Sequence, residues 1–141
     1  MADAVRATHL TRRYGRTSAV SDLSFTIAQS SLFALLGPNG AGKTTTIRML
    51  MNIVRPTSGG ATVLGVDSRR LGSAEFQTIG HVSESQQLPG WMTVSQLLAF
   101  CRPLYPTWDD RLCRKLVADF DVPTDTTIAR LSRGVRVKAA L

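Results

Sequence analysis

The sequence has few cysteines, few aromatic residues and no long apolar run. Its two cysteines, Cys101 and Cys113, are too few and wrongly spaced for a metal cage, and their apolar helix positions predict reduced core thiols. No apolar stretch approaches the roughly 20 residues that cross a bilayer. The first residues also lack the basic region and apolar stretch of a signal peptide. We therefore expect a cytoplasmic chain that reaches a membrane only through a partner.

Acidic residues are also scarce, because 10 Asp and Glu stand against 17 Lys and Arg, which gives a net charge of +7. Such a balance raises the question of a nucleic-acid partner. The clustered basic residues are Arg12, Arg13 and Arg16, and then Arg130, Arg133, Arg136 and Lys138. Neither cluster is interleaved with an aromatic platform, which argues against nucleic acid as the partner. An acidic region elsewhere in a longer protein would explain the same excess.

Hydrophobic periodicity predicts a mixed strand–helix part followed by a small helical part. The predicted strands cover residues 5–10, 23–28, 32–36 and 79–82, with a turn over 57–60 and extended chain over 61–64. A helix is expected from Gly42 until Pro56 stops it. Its expected inward residues are Ile47, Leu50, Met51 and Val54.

Two more helices are predicted after Pro89. Thr93 and Gln96 have the spacing of a capping box, which opens the first of them. Its expected inner face comprises Val94, Leu97, Leu98 and Cys101. The second is expected to start near Thr107, with an apolar stripe formed by Trp108, Leu112, Leu116 and Phe120.

The most informative motif is a phosphate-binding loop, G-x-x-x-x-G-K-[ST]. Its residues are Gly37, Pro38, Asn39, Gly40, Ala41, Gly42, Lys43 and Thr44. Amide groups that wrap a phosphate need backbone angles that glycine permits, and the helix that follows points its positive end at the phosphates. Lys43 would reach the β- and γ-phosphates, and the Thr44 hydroxyl would ligate Mg²⁺, with Thr45 nearby. The alternative is an ordinary glycine-rich turn, but a predicted strand before the motif and a helix after it favour the phosphate loop.

Around this motif the sequence resembles the ABC ATPases, from about residue 4 to Leu141. Tyr14 is similar to the family's A-loop aromatic residue, on which the adenine ring of ATP stacks. A surface tyrosine at a strand end is the alternative interpretation. Residues 35–45 have the family's form of the loop, Leu-Leu-Gly-Pro-Asn-Gly-Ala-Gly-Lys-Thr-Thr, and residues 55–60 are similar to its Pro-x-Ser-Gly turn.

Two further segments match the family with departures. Glu84 stands where the family has the glutamine of its Q-loop; a carboxylate there could still hold Mg²⁺, and a surface acid is the alternative. Residues 131–136 are similar to the signature Leu-Ser-Gly-Gly-Gln, with matches at Ser132 and Gly134. The resemblance implies that these two residues contact the γ-phosphate held by an opposite subunit, whereas the alternative is a plain serine-capped helix start. Such variants resemble the branch of ABC-2-type exporters and drug-resistance pumps.

The resemblance implies an α/β P-loop NTPase fold with antiparallel strands, a P-loop strand–helix unit, a small helical subdomain and an incomplete parallel sheet. Residues 1–88 would hold the A-loop, Walker A motif and Q-loop, residues 89–130 the helical subdomain, and residues 131–141 the start of the signature helix. No apolar run ends in the paired carboxylates of a Walker B strand. No catalytic residue is therefore identifiable except Glu84 as a candidate, and we expect the chain alone to be unstable or to aggregate.

The function implied is that of an ATP-binding subunit of an ABC exporter for an unknown substrate, with ATP and Mg²⁺ as cofactors. Its partners would be a transmembrane permease subunit, which holds it at the inner face of the membrane, and a second ATP-binding subunit, identical or different. We expect a truncated copy that does not hydrolyse ATP alone. Two alternatives stay open: a non-hydrolysing regulatory or vestigial nucleotide-binding module, and a nucleic-acid-associated P-loop protein.

Overall fold

The computed structural model describes residues 2–83 and 87–141, and the chain divides into two compact units, Met1–Thr78 and Ile79–Leu141. The division into residues 1–88, 89–130 and 131–141 concerns functional parts and stays a prediction. Within the described ranges, no helix is long and apolar enough to cross a membrane.

The first unit is built on a four-stranded antiparallel sheet. Strand β1 (Asp3–Tyr14) pairs with β2 (Thr17–Ala28) on one side and with β3 (Ser58–Val63) on the other, and β3 pairs with β4 (Val66–Asp67). The strands predicted over residues 5–10 and 23–28 are confirmed, and both are longer than expected. A 3₁₀ turn (Ser68–Arg70) and the short helix α2 (Ser73–Phe76) complete the unit.

One hydrophobic cluster holds helix α1 (Lys43–Leu50) on this sheet. Its buried members are Ala7, Leu10, Val20, Met49 and Ala61. Leu50 and Val54 pack against the cluster as predicted, but Ile47 is 42% exposed and the prediction for it is wrong. Met49 takes the inward place because the buried face of this short helix runs through Thr46 and Met49. Burial of Leu10, Val20 and Met49 stabilises by roughly 1.5–3 kcal/mol each, which fixes the start of α1 relative to the strands.

Three predicted features of the first part are wrong. Residues 32–36 form no strand, and Leu32 and Leu36 are 102% and 86% exposed. A strand needs a hydrogen-bonding neighbour, and among the described residues none pairs with this run, nor with residues 79–82, which also form no strand. Residues 58–60 are part of β3 instead of a turn, because they pair with β1. All strand pairs in the described part of the chain are antiparallel.

The second unit consists of helices α3 (Val94–Cys101), α4 (Asp110–Asp119) and α5 (Arg133–Ala140), with 3₁₀ turns at Arg102–Leu104 and Ile128–Arg130. Their shared cluster has as buried members Val94, Leu97, Val122, Ile128 and Leu131. The predicted inner face of α3 is confirmed, since Leu98 and Cys101 pack against this cluster as well.

The ends of these helices follow from local capping. The capping box at Thr93 is confirmed: the Gln96 amide donates to the Thr93 hydroxyl at 3.2 Å, and the Thr93 amide donates to the Gln96 side chain at 2.9 Å. Helix α4 starts later than expected, because Asp109 caps it and accepts hydrogen bonds from two amides at 2.7 and 3.0 Å. Its predicted stripe is wrong at Leu112, which is 51% exposed. Phe120 packs against the cluster as expected.

Candidate nucleotide-binding site

The phosphate-binding motif forms the loop that leads into α1. Gly40 and Gly42 both have φ of +85°, a left-handed conformation that side chains disfavour. Gly42 is the N-cap of α1 and makes no side-chain cap, so the first-turn amides have no acceptor within the helix. Within the first turn of α1, which lies in the described part of the chain, there is also no acidic residue. The helix start therefore presents N–H donors and a positive dipole end, which suits an anion.

Lys43 lies across this loop. Its Nζ donates to the carbonyl oxygens of Gly37 at 2.7 Å and of Pro38 at 2.8 Å, so the ammonium joins the start of the loop to the start of the helix. The backbone of Ala41 also closes the loop, because its amide donates to the Pro38 oxygen at 3.2 Å. A positive charge is thus held on the loop that leads into the uncapped amides of the helix start. Such an arrangement provides charge-assisted hydrogen bonds to an oxyanion.

The loop packs closely against β2. A Cβ atom on Gly42 would lie 2.2 Å from the carbonyl oxygen of Ala19 and 2.9 Å from Cγ2 of Val20. Glycine is therefore required at this position by close approach as well as by backbone angle. The motif alone did not reveal Ala19 as the neighbour, because the contact joins residues that are distant in sequence. This contact between Gly42 and β2 places the phosphate loop beside the β1–β2 hairpin.

Tyr14 lies at the tip of that hairpin. It ends β1, pairs with Thr17, and is followed by the turn at Gly15 and Arg16. Tyr14 is 47% exposed, and the guanidinium carbon of Arg12 lies 4.4 Å from the centroid of its ring. The structure therefore places an accessible aromatic ring on the same hairpin whose second strand contacts the phosphate loop.

Hydroxyl groups follow Lys43 in the first turn of α1. Thr44 is exposed and Thr45 half-buried, whereas the Thr46 hydroxyl donates to the Gly42 oxygen at 3.0 Å. A hydroxyl fits Mg²⁺, which prefers oxygen ligands and is commonly bound by protein oxygens together with substrate phosphates. Within the described residues, no group of three or more His, Cys, Asp or Glu could hold a metal. Glu84, the other predicted metal ligand, lies outside the described residues. Asn39, the remaining polar residue of the loop, is exposed.

The predicted signature residues lie in the second unit. Ser132 caps α5, and its hydroxyl accepts a hydrogen bond from the Val135 amide at 3.3 Å, so the predicted helix start is confirmed. Gly134 stands in the first turn of α5, where an added Cβ would meet no atom within 4 Å. The Nε of Arg136 donates to the carbonyl oxygen of Leu131 at 3.1 Å, which ties this turn back to the cluster.

Comparison with known proteins gives consistent matches. Residues 20–141 match the family described as "ABC transporter". "Nod factor export ATP-binding protein I" of Rhizobium leguminosarum bv. viciae is 35% identical over 139 residues, which is 94% of this chain and 44% of the relative. "Probable multidrug ABC transporter ATP-binding protein YbhF" of Escherichia coli (strain K12) is 38% identical over 101 residues, which is 72% of this chain and 18% of the relative.

A solved structure shares the fold. "Structure of ATP binding subunit of ABC transporter" superposes with a TM-score of 0.80 at 22% identity, and the match covers 97% of this chain and 59% of that chain. The chain spans only 18% to 44% of the length of the curated relatives named above.

Proposed function

Since the chain belongs to the ABC transporter family, we propose that it binds ATP through residues 37–45 and forms part of the ATP-binding subunit of an exporter. One observation carries this proposal: the Lys43 ammonium lies across the glycine loop, and that loop leads directly into the uncapped amides that begin α1. The names of the relatives, which are ATP-binding proteins of multidrug and Nod factor export, support the same assignment.

In this proposal each part of the nucleotide has a matching group. The triphosphate accepts hydrogen bonds from the amides at the start of α1, and Lys43 exchanges its two carbonyl partners for phosphate oxygens. The exchange is favourable because a hydrogen bond to an ionised acceptor is stronger than one to a carbonyl. Thr44 would offer its hydroxyl to Mg²⁺, whose charge offsets that of the phosphates. Tyr14 would stack on adenine from the neighbouring hairpin.

The test is the affinity for Mg²⁺–ATP, measured by equilibrium dialysis on Lys43→Ala. A hydrogen bond to a charged group contributes roughly 1.5–3 kcal/mol, so we expect affinity to fall about 10- to 150-fold. The matched control is Lys115→Ala, which removes an ammonium that is ion-paired with Asp119 in the second unit. Unchanged ATP affinity in Lys43→Ala would contradict the proposal, whatever the control shows.

The finer part of the proposal concerns partners. A second ATP-binding subunit would meet this one across the nucleotide, with Ser132 and Gly134 facing its γ-phosphate, and a transmembrane permease would hold the pair at the cytoplasmic face of the membrane. Ser132→Asn tests the first point, because asparagine caps a helix as well as serine does. We expect α5 to persist by circular dichroism, and ATP-dependent association in sedimentation to weaken. Association that is as strong as in the wild-type chain would oppose this role.

A further inference from the structure

We propose that Arg12 is a positioning residue that holds the Tyr14 ring for the base of a bound nucleotide. The inference rests on the proposed function, in which Tyr14 meets that base. It starts from one geometric observation: the guanidinium carbon of Arg12 lies 4.4 Å from the centroid of the Tyr14 ring. A cation within about 6 Å of a ring centroid is attracted to the face of the ring.

Arg12 is itself held by the backbone of the segment that follows α1. Its Nη1 donates to the carbonyl oxygen of Arg55 at 2.8 Å. Two further hydrogen bonds fix this segment to β1: the Thr57 amide donates to the Thr11 oxygen at 2.8 Å, and the Arg13 amide donates to the Thr57 hydroxyl at 3.0 Å. The guanidinium therefore lies between a fixed backbone and the tyrosine ring.

The hydrogen bond to the Arg55 oxygen leaves another nitrogen of Arg12 unsatisfied within the described part of the chain. Its Nε is buried and has no hydrogen-bond partner among the described residues. A buried N–H without an acceptor is unfavourable, so an arginine that carries one calls for a compensating role. The contact with Tyr14 supplies that role, because it restricts the ring of a residue next to a two-residue turn.

The effect of Arg12 on affinity should be confined to the contacts that the base of the nucleotide makes. A ring that is already ordered loses less conformational freedom when a base stacks on it, so a positioned Tyr14 binds more tightly than a mobile one. Since Arg12 covers one face of the ring, the base would stack on the other. The phosphates bind at the loop before α1, so ligands that lack a base should not sense Arg12. We expect a loss of about 3- to 10-fold in affinity for ATP when the cation is removed.

The experiment compares Mg²⁺–ATP with Mg²⁺–tripolyphosphate by isothermal titration calorimetry. Arg12→Ala and Arg12→Gln are the test variants, and glutamine keeps a polar side chain while it removes the positive charge. The matched control is Arg13→Ala, which removes the same charge from the adjacent exposed position. The inference predicts weaker ATP binding and unchanged tripolyphosphate binding in both test variants, and neither change in the control. In a Tyr14→Ala background, Arg12→Gln should have no further effect.

Each contrary result has a separate meaning. Equal losses for ATP and tripolyphosphate, or the same loss in Arg13→Ala, would show that Arg12 acts only through net charge or folding and would overturn the inference. Unchanged ATP affinity in Arg12→Gln would also overturn it. If the wild-type chain binds neither ligand, the proposed function fails first, and the inference fails with it.

Discussion

The contact between Gly42 and β2 allows a sharp test of the site's architecture. In Gly42→Ala the new methyl group would lie 2.2 Å from the carbonyl oxygen of Ala19, so either the helix start or β2 must move. Gly40→Ala is a matched control, since Gly40 has the same φ of +85° and an added Cβ there meets no atom within 4 Å. The two variants share the backbone strain and differ in the clash.

The expected magnitudes follow from these two contributions. A left-handed conformation costs a non-glycine residue roughly 1–2 kcal/mol, which applies to both variants. Overpacking against an ordered neighbour costs roughly 1–3 kcal/mol more, which applies to Gly42→Ala alone. The difference corresponds to about 5- to 150-fold in an equilibrium constant for local opening.

Hydrogen exchange followed by mass spectrometry measures that opening without requiring global cooperative unfolding. Peptides that cover β2 and α1 should exchange faster in Gly42→Ala than in Gly40→Ala, whereas peptides of the second unit should not change. Equal protection of β2 in the two variants would refute the close packing of the loop against Ala19. Faster exchange throughout the chain would point to a general loss of folding instead.

Three further predictions concern stability and solubility. Thr93→Ala removes the cap of α3 and should destabilise the second unit by about 1 kcal/mol, seen as faster hydrogen exchange in α3; unchanged exchange would contradict the capping box. The hydrogen bond from Arg69 lowers the pKa of Asp67 to about 2, below its usual value of 3.8. The ion pair of Asp67 with Arg69 therefore stabilises the fold fully above that usual value, and this stabilisation is lost as the pH falls from about 4 to 2. This exposed pair is screened by solvent and should contribute less than about 1 kcal/mol; Asp67→Asn should flatten that part of the pH dependence, and an unaltered profile would oppose it. Leu36→Lys should raise the monomer fraction in size-exclusion chromatography, because Leu36 is 86% exposed within an apolar run; a monomer fraction equal to that of the wild type would count against this run as the aggregating surface.

Features that depend on residues close in sequence were predictable. The capping box needs only Thr93 and Gln96, and the glycine loop needs only its own motif to start a helix at Lys43. That residues 32–36 form no strand was not predictable from their apolar run, because a strand exists only with a partner. Ile47 and Met49 show the same limit within a helix, since the pattern of apolar residues did not decide which of them faces the sheet.

The candidate site shows the same difference between local and long-range features. The groups that would contact ligand, Lys43 and Thr44, are encoded by spacing in one short motif. The contacts that hold the site's parts in place join distant positions: Arg12 to the Arg55 oxygen, and Gly42 to Ala19. Those contacts depend on the register of β1 with its neighbours, and a register is a property of the folded sheet. A substitution at Arg12 should therefore alter binding while every motif residue remains in place, which motif matching alone would not anticipate.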